Sequence, residues 1–150
     1  MSSVRTEEYL ETIYDICKEK RKAKVTEIKK ALGLQSLASV TEMVQNMAKE
    51  GLLNYEKYKG VTLTQKGIDI AKKLDHKHEK IEEFLLLLGI DSKSAQEDAC
   101  ALEHVMTENT VKAIVYFAEF VKSEKRYTLL LEEFRKQHKQ LKNSKEAFEL

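Results

Sequence analysis

Leu10, Ile13, Tyr14 and Cys17 recur at three- and four-residue intervals, which predicts an amphipathic helix over residues 6–20 opened by Thr6-Glu7-Glu8. That spacing puts Cys17 in the core and leaves Glu8, Glu11 and Asp15 on the solvated face. The next segment, VTEIKKALGLQSLASVTEMVQNMAKEGLL, reads as two short helices. Thr26 caps the first, which carries Ile28, Ala31 and Leu32 to a stop at Gly33. The second starts near Ser36, turns Val40, Met43, Val44 and Met47 inward, and ends at Gly51. Leu52–Tyr55 and Gly60–Thr64 then read as short strands flanking Glu56-Lys57-Tyr58-Lys59.

Two helices joined by a glycine-containing turn form a helix-turn-helix, and the hairpin that follows makes it a winged helix. Such a unit either binds DNA or serves as a protein-contact module. Thr64 caps a long helix to about Leu88, with Ile68, Ala71, Leu74, Ile81, Leu85 and Leu88 as its apolar stripe and Gly89 as its end. Ser94-x-x-Glu97 is a capping box that opens another helix. Thr110–Val121 and Arg126–Leu141 are also helical in pattern, the first with Val111, Ile114, Phe117, Ala118 and Val121, the second with Leu129, Leu130 and Phe134. Beyond Leu141 the chain is polar and is expected to fray. The second half has more apolar residues than a thin layer can bury. Either the Phe84–Leu88 region and the 111–120 helix form a dimer interface, or they fill a monomeric core.

The fold class is therefore mainly α with a small β-hairpin. A winged helix-turn-helix over residues 1–72 precedes an all-helical domain over 73–150, and the 64–88 helix links them. Composition agrees: no proline and only 5 glycines favour helices over sandwiches or barrels. The 42% hydrophobic and 34% charged content is that of a globular chain. The N-terminus has no apolar signal region, and the run at Phe84–Leu88 is too short to span a bilayer. With two remote cysteines, this points to a reducing cytoplasm. A net charge of +1 does not by itself indicate DNA.

The chemistry concentrates in Cys100-Ala-Leu-Glu103-His104. Positions i, i+3 and i+4 share one helical face, so a thiolate, a carboxylate and an imidazole converge there, a set suited to a divalent transition metal. Taken alone, the same residues also describe a buried thiol beside a surface Glu-His pair.

The segments EEYLETIYDI, YEKYKGVTLTQKG, KHEKIEEFLLLLGI and EDACALEHVM occur in order between residues 4 and 125. Together with the helix-turn-helix they resemble the iron- and manganese-dependent repressors, the diphtheria-toxin-repressor and manganese-transport-regulator family. The Cys-x-x-Glu-His stretch and the Lys-His pair ahead of the apolar run carry most of the resemblance. It implies a homodimer with a helical metal-binding and dimerisation domain, of the shorter branch without an SH3-like domain. It also implies metal ligands at Glu8, Glu11, His78, Cys100, Glu103 and His104. Glu82 matches an ancillary-site ligand of the iron-type members, and Gln96 stands where those members have a histidine. Cys100 resembles the iron type, whereas Glu8 lies where the manganese type has a carboxylate. Fe(II) leads, Mn(II) follows closely, and Co(II) and Zn(II) are expected to bind in vitro.

The function implied is a metal-dependent repressor that binds operator DNA as a homodimer and controls metal-uptake genes. Ligands from both domains would make the ion an interdomain clamp. The N-terminal part of the recognition helix presents Gln35, Ser36, Leu37, Ser39 and Glu42. It has no arginine for bidentate guanine contacts, so phosphates and DNA shape carry more of the affinity. Glu42 either accepts from a cytosine amino group or is simply solvated. Lys57 and Lys59 of the wing, with Thr26, Lys29 and Lys30, are the phosphate candidates. Two other readings compete: a constitutive DNA-binding protein with a structural metal, and a metal-dependent hydrolase, for which the sequence offers no substrate pocket.

Overall fold

In the computed structural model, which describes residues 3–143, the chain runs α1 (Val4–Lys20), α2 (Val25–Ala31), α3 (Leu37–Lys49), β1 (Leu53–Glu56), β2 (Gly60–Leu63), α4 (Gln65–Leu87), α5 (Ser92–Val105), α6 (Glu108–Ser123) and α7 (Lys125–Asn143). It divides into two units between His76 and Lys77, within α4. The fraying expected past Leu141 concerns, from residue 144 on, a segment outside the described residues.

In the first unit Tyr9, Leu10 and Ile13 of α1 are fully buried with Ile28 of α2 and Val40, Val44 and Met47 of α3. Gly33 and Gly51 have positive φ (64° and 73°), which lets Leu34 N–H reach the Lys29 carbonyl and Leu52 N–H the Met47 carbonyl. These bonds close α2 and α3 in the left-handed turns that glycine adopts without strain. β1 and β2 pair antiparallel from Leu53↔Leu63 to Glu56↔Gly60. A two-stranded hairpin is marginal by itself. Here Ala23 extends it, exchanging both backbone hydrogen bonds with Val61 at 2.9 and 2.8 Å. Cys17 is half-buried, its Sγ donates to the Val61 carbonyl at 3.7 Å, and burial pushes its thiol pKa up.

Several helix starts differ from the sequence expectation. Thr26 lies inside α2, and the N-cap position belongs to Lys24, whose N–H donates to the Glu27 carboxylate at 2.9 Å. Ser3, ahead of Thr6, caps α1. Asp91 rather than Ser94 caps α5: its carboxylate accepts from Ser94 N–H at 3.1 Å and from the Ser94 hydroxyl at 2.9 Å. Thr107 caps α6, one turn before Thr110. At α5 the Asp91 carboxylate takes the orphan N–H groups more strongly than the Ser94 hydroxyl one turn later.

In the second unit Ile81 of α4 packs with Ala99 of α5 and Val111 of α6, flanked by Leu85, Leu102, Met106 and Val115. Gly89 (φ 88°) terminates α4 through Ile90 N–H to the Leu85 carbonyl. Tyr116, Phe117 and Phe120 of α6 and Leu129, Leu130 and Phe134 of α7 are exposed. A groove of about 560 Å³ runs among Phe117, Phe120, Leu130 and Phe134. Contiguous exposed apolar side chains of this kind mark an interaction surface. Among the described residues no helix is long and apolar enough to cross a membrane.

Candidate metal centre and nucleic-acid interface

Ala95, Ala99 and Glu103 repeat every four residues and form the buried stripe of α5. Ala99 packs with Ile81 of α4. The same stripe then carries Glu103 inward, where it is 2% exposed. A carboxylate buried to that degree requires compensation. His78 of α4 supplies one partner, its Nδ1 lying 2.8 Å from Glu103 Oε2. His104, the next residue of α5, brings Nε2 to 3.4 Å from the other oxygen, Oε1. One turn along α4, Glu82 Oε2 lies 3.7 Å from His78 Nε2.

Thus four sequence-predicted residues, His78, Glu82, Glu103 and His104, form one cluster of imidazole and carboxylate donors. Neutral imidazoles and carboxylates suit a divalent first-row metal, and a buried anion bracketed by two such nitrogens fits an ion of that charge. Cys100 is exposed on the turn before Glu103, and Gln96 is exposed a further turn back. On α1, Glu8 is exposed and Glu11 half-buried, one turn apart on one side of the helix. Sequence reasoning missed Lys77, whose Nζ donates to the main-chain carbonyls of Glu103 and Met106. Only its place in the Lys-His pair marked it.

In the first unit, Ser36 is the N-cap of α3, its hydroxyl accepting from Ser39 N–H at 3.2 Å. Arg5 Nη2 reaches the Ser39 hydroxyl at 3.5 Å. Gln35, Leu37 and Glu42 are exposed. A recess of about 350 Å³ at the helix-turn-helix brings together Thr26, Lys29, Lys30, Gln35 and Leu37, five of the residues singled out from sequence. Lys57 and Lys59 flank Tyr58 at the hairpin tip, and Tyr58 is 94% exposed with φ 68°. Lys59 N–H donates to the Glu56 carbonyl at 3.0 Å, closing a β-turn in which Tyr58, its third residue, takes the positive φ. Lys57 Nζ lies 5.2 Å from the Tyr58 ring centroid.

A second groove, of about 770 Å³, runs from the hairpin to α2 and gathers Lys20, Lys22 and Lys24 with the two wing lysines. Those three had no periodicity or motif to single them out. Lys20 pairs with Glu27 at 2.9 Å, and that hydrogen bond, followed by the one from Lys24 N–H, holds the Glu27 carboxyl below the usual range. Exposed lysines around one groove make a positive surface suited to a phosphate backbone.

Comparison with known proteins matches residues 1–61 to the iron dependent repressor N-terminal DNA binding domain. Residues 64–127 match the iron dependent repressor metal binding and dimerisation domain. The HTH-type transcriptional regulator MntR of Bacillus pumilus is 35% identical over 140 residues, covering 93% of this chain and 96% of that protein. An uncharacterised HTH-type transcriptional regulator of Methanocaldococcus jannaschii is 44% identical over 115 residues, covering 75% of this chain and 91% of that one. Among solved structures, the manganese regulator SloR superposes with a TM-score of 0.64 at 30% identity, over 77% of this chain and 54% of that one.

Proposed function

The chain belongs to the iron-dependent repressor family, and on that premise we propose that it is a metal-gated repressor which, as a homodimer carrying Fe(II) or Mn(II), binds operator DNA and shuts off metal-uptake genes. The observation that carries this reading is Glu103, a buried carboxylate held between His78 and His104. His78, Glu103 and His104 would hold the ion, with Glu82 beside them and Cys100 one turn away. Glu8 and Glu11 join the set on the family correspondence.

A bound divalent ion supplies the positive charge that these carboxylates would share. Without it, carboxylates gathered in one ligand set would repel one another. With it, Glu8 and Glu11 would join the ligands of the dimerisation domain in one set, which would couple metal and DNA binding by about 1–3 kcal/mol. The recess at Thr26, Lys29, Lys30, Gln35 and Leu37 would meet DNA with the first turn of α3, while Lys57 and Lys59 take phosphates.

The metal turns on two residues. The Cys100 thiolate favours Fe(II), Co(II) or Zn(II), whereas Glu8 and the imidazole–carboxylate cluster accept Mn(II) equally well. The similar structure of SloR is that of a manganese regulator. The reading remains Fe(II) first and Mn(II) second. The family is one of transcriptional regulators, and a ligand set this numerous would leave little room for hydrolytic chemistry at the ion.

The test is an operator mobility shift with Mn(II), Fe(II), Co(II) and Zn(II), with and without chelator, on the wild-type chain and on Glu8→Ala. Metal should raise operator affinity, chelator should abolish the gain, and Glu8→Ala should lose the response while remaining a dimer. Binding that ignores the chelator would establish a constitutive DNA-binding protein instead.

A further inference from the structure

The Lys-His pair at the middle of α4 has one member without a role so far. The last carbonyls of a helix project beyond it with no intrahelical donor. At the end of α5 the carbonyls of Glu103 and Met106 both accept from Lys77 Nζ, the second at 2.6 Å. The residue following Lys77 is His78, which meets the Glu103 carboxylate at 2.8 Å. Consecutive residues of α4 therefore hold Glu103 twice, Lys77 by its main chain and His78 by its side chain.

We propose that Lys77 is a positioning residue for the metal centre, fixing the Glu103 main chain against α4 so that the carboxylate is aimed before an ion arrives. The proposal rests on the reading of His78 and Glu103 as ligands. A glycine or water cap would satisfy the α5 carbonyls equally well, but neither would tie α5 to the helix that carries His78. The ammonium also lies at the negative end of the α5 dipole, where a cation is favoured. Lys77 is half-buried, and so are its two bonds. With the backbone of Glu103 free to shift, the carboxylate would have to be ordered at the expense of binding energy. Supporting partners of metal ligands act in this way.

The test compares the full chain with Lys77→Met, Lys77→Arg and His78→Ala. Mn(II) and Co(II) affinities are measured by isothermal titration, Co(II) absorption reports coordination geometry, and apo-protein melting reports folding. Lys77→Met should bind about tenfold more weakly or worse, as loss of a supporting partner does elsewhere, with an altered Co(II) spectrum. Lys77→Arg keeps a cation with several donors and should restore both. If apo Lys77→Met does not fold, Lys77→Gln takes its place under the same criteria. A folded variant that melts earlier but binds metal and absorbs like wild type would reduce Lys77 to a helix cap and overturn the proposal. If His78→Ala binds metal as wild type does, the ligand reading falls and the proposal with it. Loss in His78→Ala alone removes only the role of Lys77.

Discussion

Gly67→Ala tests whether the start of α4 is wedged against the strand entry. Gly67 is buried in the first turn of α4, and a Cβ there would sit 2.3 Å from the Leu52 carbonyl oxygen, with Leu63 Cβ at 3.4 Å. The Leu52 oxygen cannot retreat freely, because it accepts from Thr64 N–H at 3.0 Å and from the Thr64 hydroxyl at 3.1 Å. Thr64 Oγ1 in turn accepts from Gly67 N–H at 3.2 Å, which caps the helix. Relieving the clash moves α4 by the better part of an ångström and breaks at least one of these bonds. Overpacking of this kind costs about 1–3 kcal/mol, and a lost hydrogen bond about 1 kcal/mol more. Against this, alanine gains about 1 kcal/mol of helix propensity over glycine. The clash wins, and the expected loss is about 2 kcal/mol, read from urea unfolding of the apo protein by circular dichroism. A variant as stable as wild type, or more so, would show that the Leu52 carbonyl yields at no cost.

Two further outcomes follow from the second unit. Phe117→Asp puts a charge on the exposed apolar face of α6, and sedimentation should show the dimer converted largely to monomer; an unshifted dimer places the interface elsewhere. The Glu83 carboxyl is held below the usual carboxylate range by hydrogen bonds first from Lys122, then from Lys80. Its contribution is therefore present above the ordinary carboxylate range and lost as pH falls through the folded value. Because Glu83 is exposed, Glu83→Gln should cost no more than about 0.5 kcal/mol near neutral pH, and less at pH 4 or in high salt. An equal cost at both pH values would refute the ion-pair origin.

The elements were legible wherever apolar spacing was strong. The stripe of α3 is buried at Val40, Val44 and Met47, and that of α4 at Ala71, Leu74 and Ile81. Starts were less legible, because several residues near a helix end can cap it. At α5 the Ser94 capping box drew the start one turn late, and Asp91, with its charged acceptor, is the cap. Half of the site was visible as spacing, since Glu103 and His104 share a helix. Their partner His78 lies in another helix and entered by family resemblance alone. Burial could not be read from Cys-x-x-Glu-His: Glu103 is buried because it follows Ala95 and Ala99, whereas Cys100 is exposed. Lys77 had no periodic signal, because its role depends on where another helix ends.

The Val61 carbonyl accepts from Ala23 N–H and from Cys17 Sγ, so the hairpin is stitched both to the loop after α1 and to α1 itself. α1 also carries Glu8 and Glu11. The wing is consequently not a loose flap on the end of two strands. A shift of α1 that carries Glu8 and Glu11 is therefore expected to move the strand that follows Lys57 and Lys59 along with it, rather than leave the wing behind.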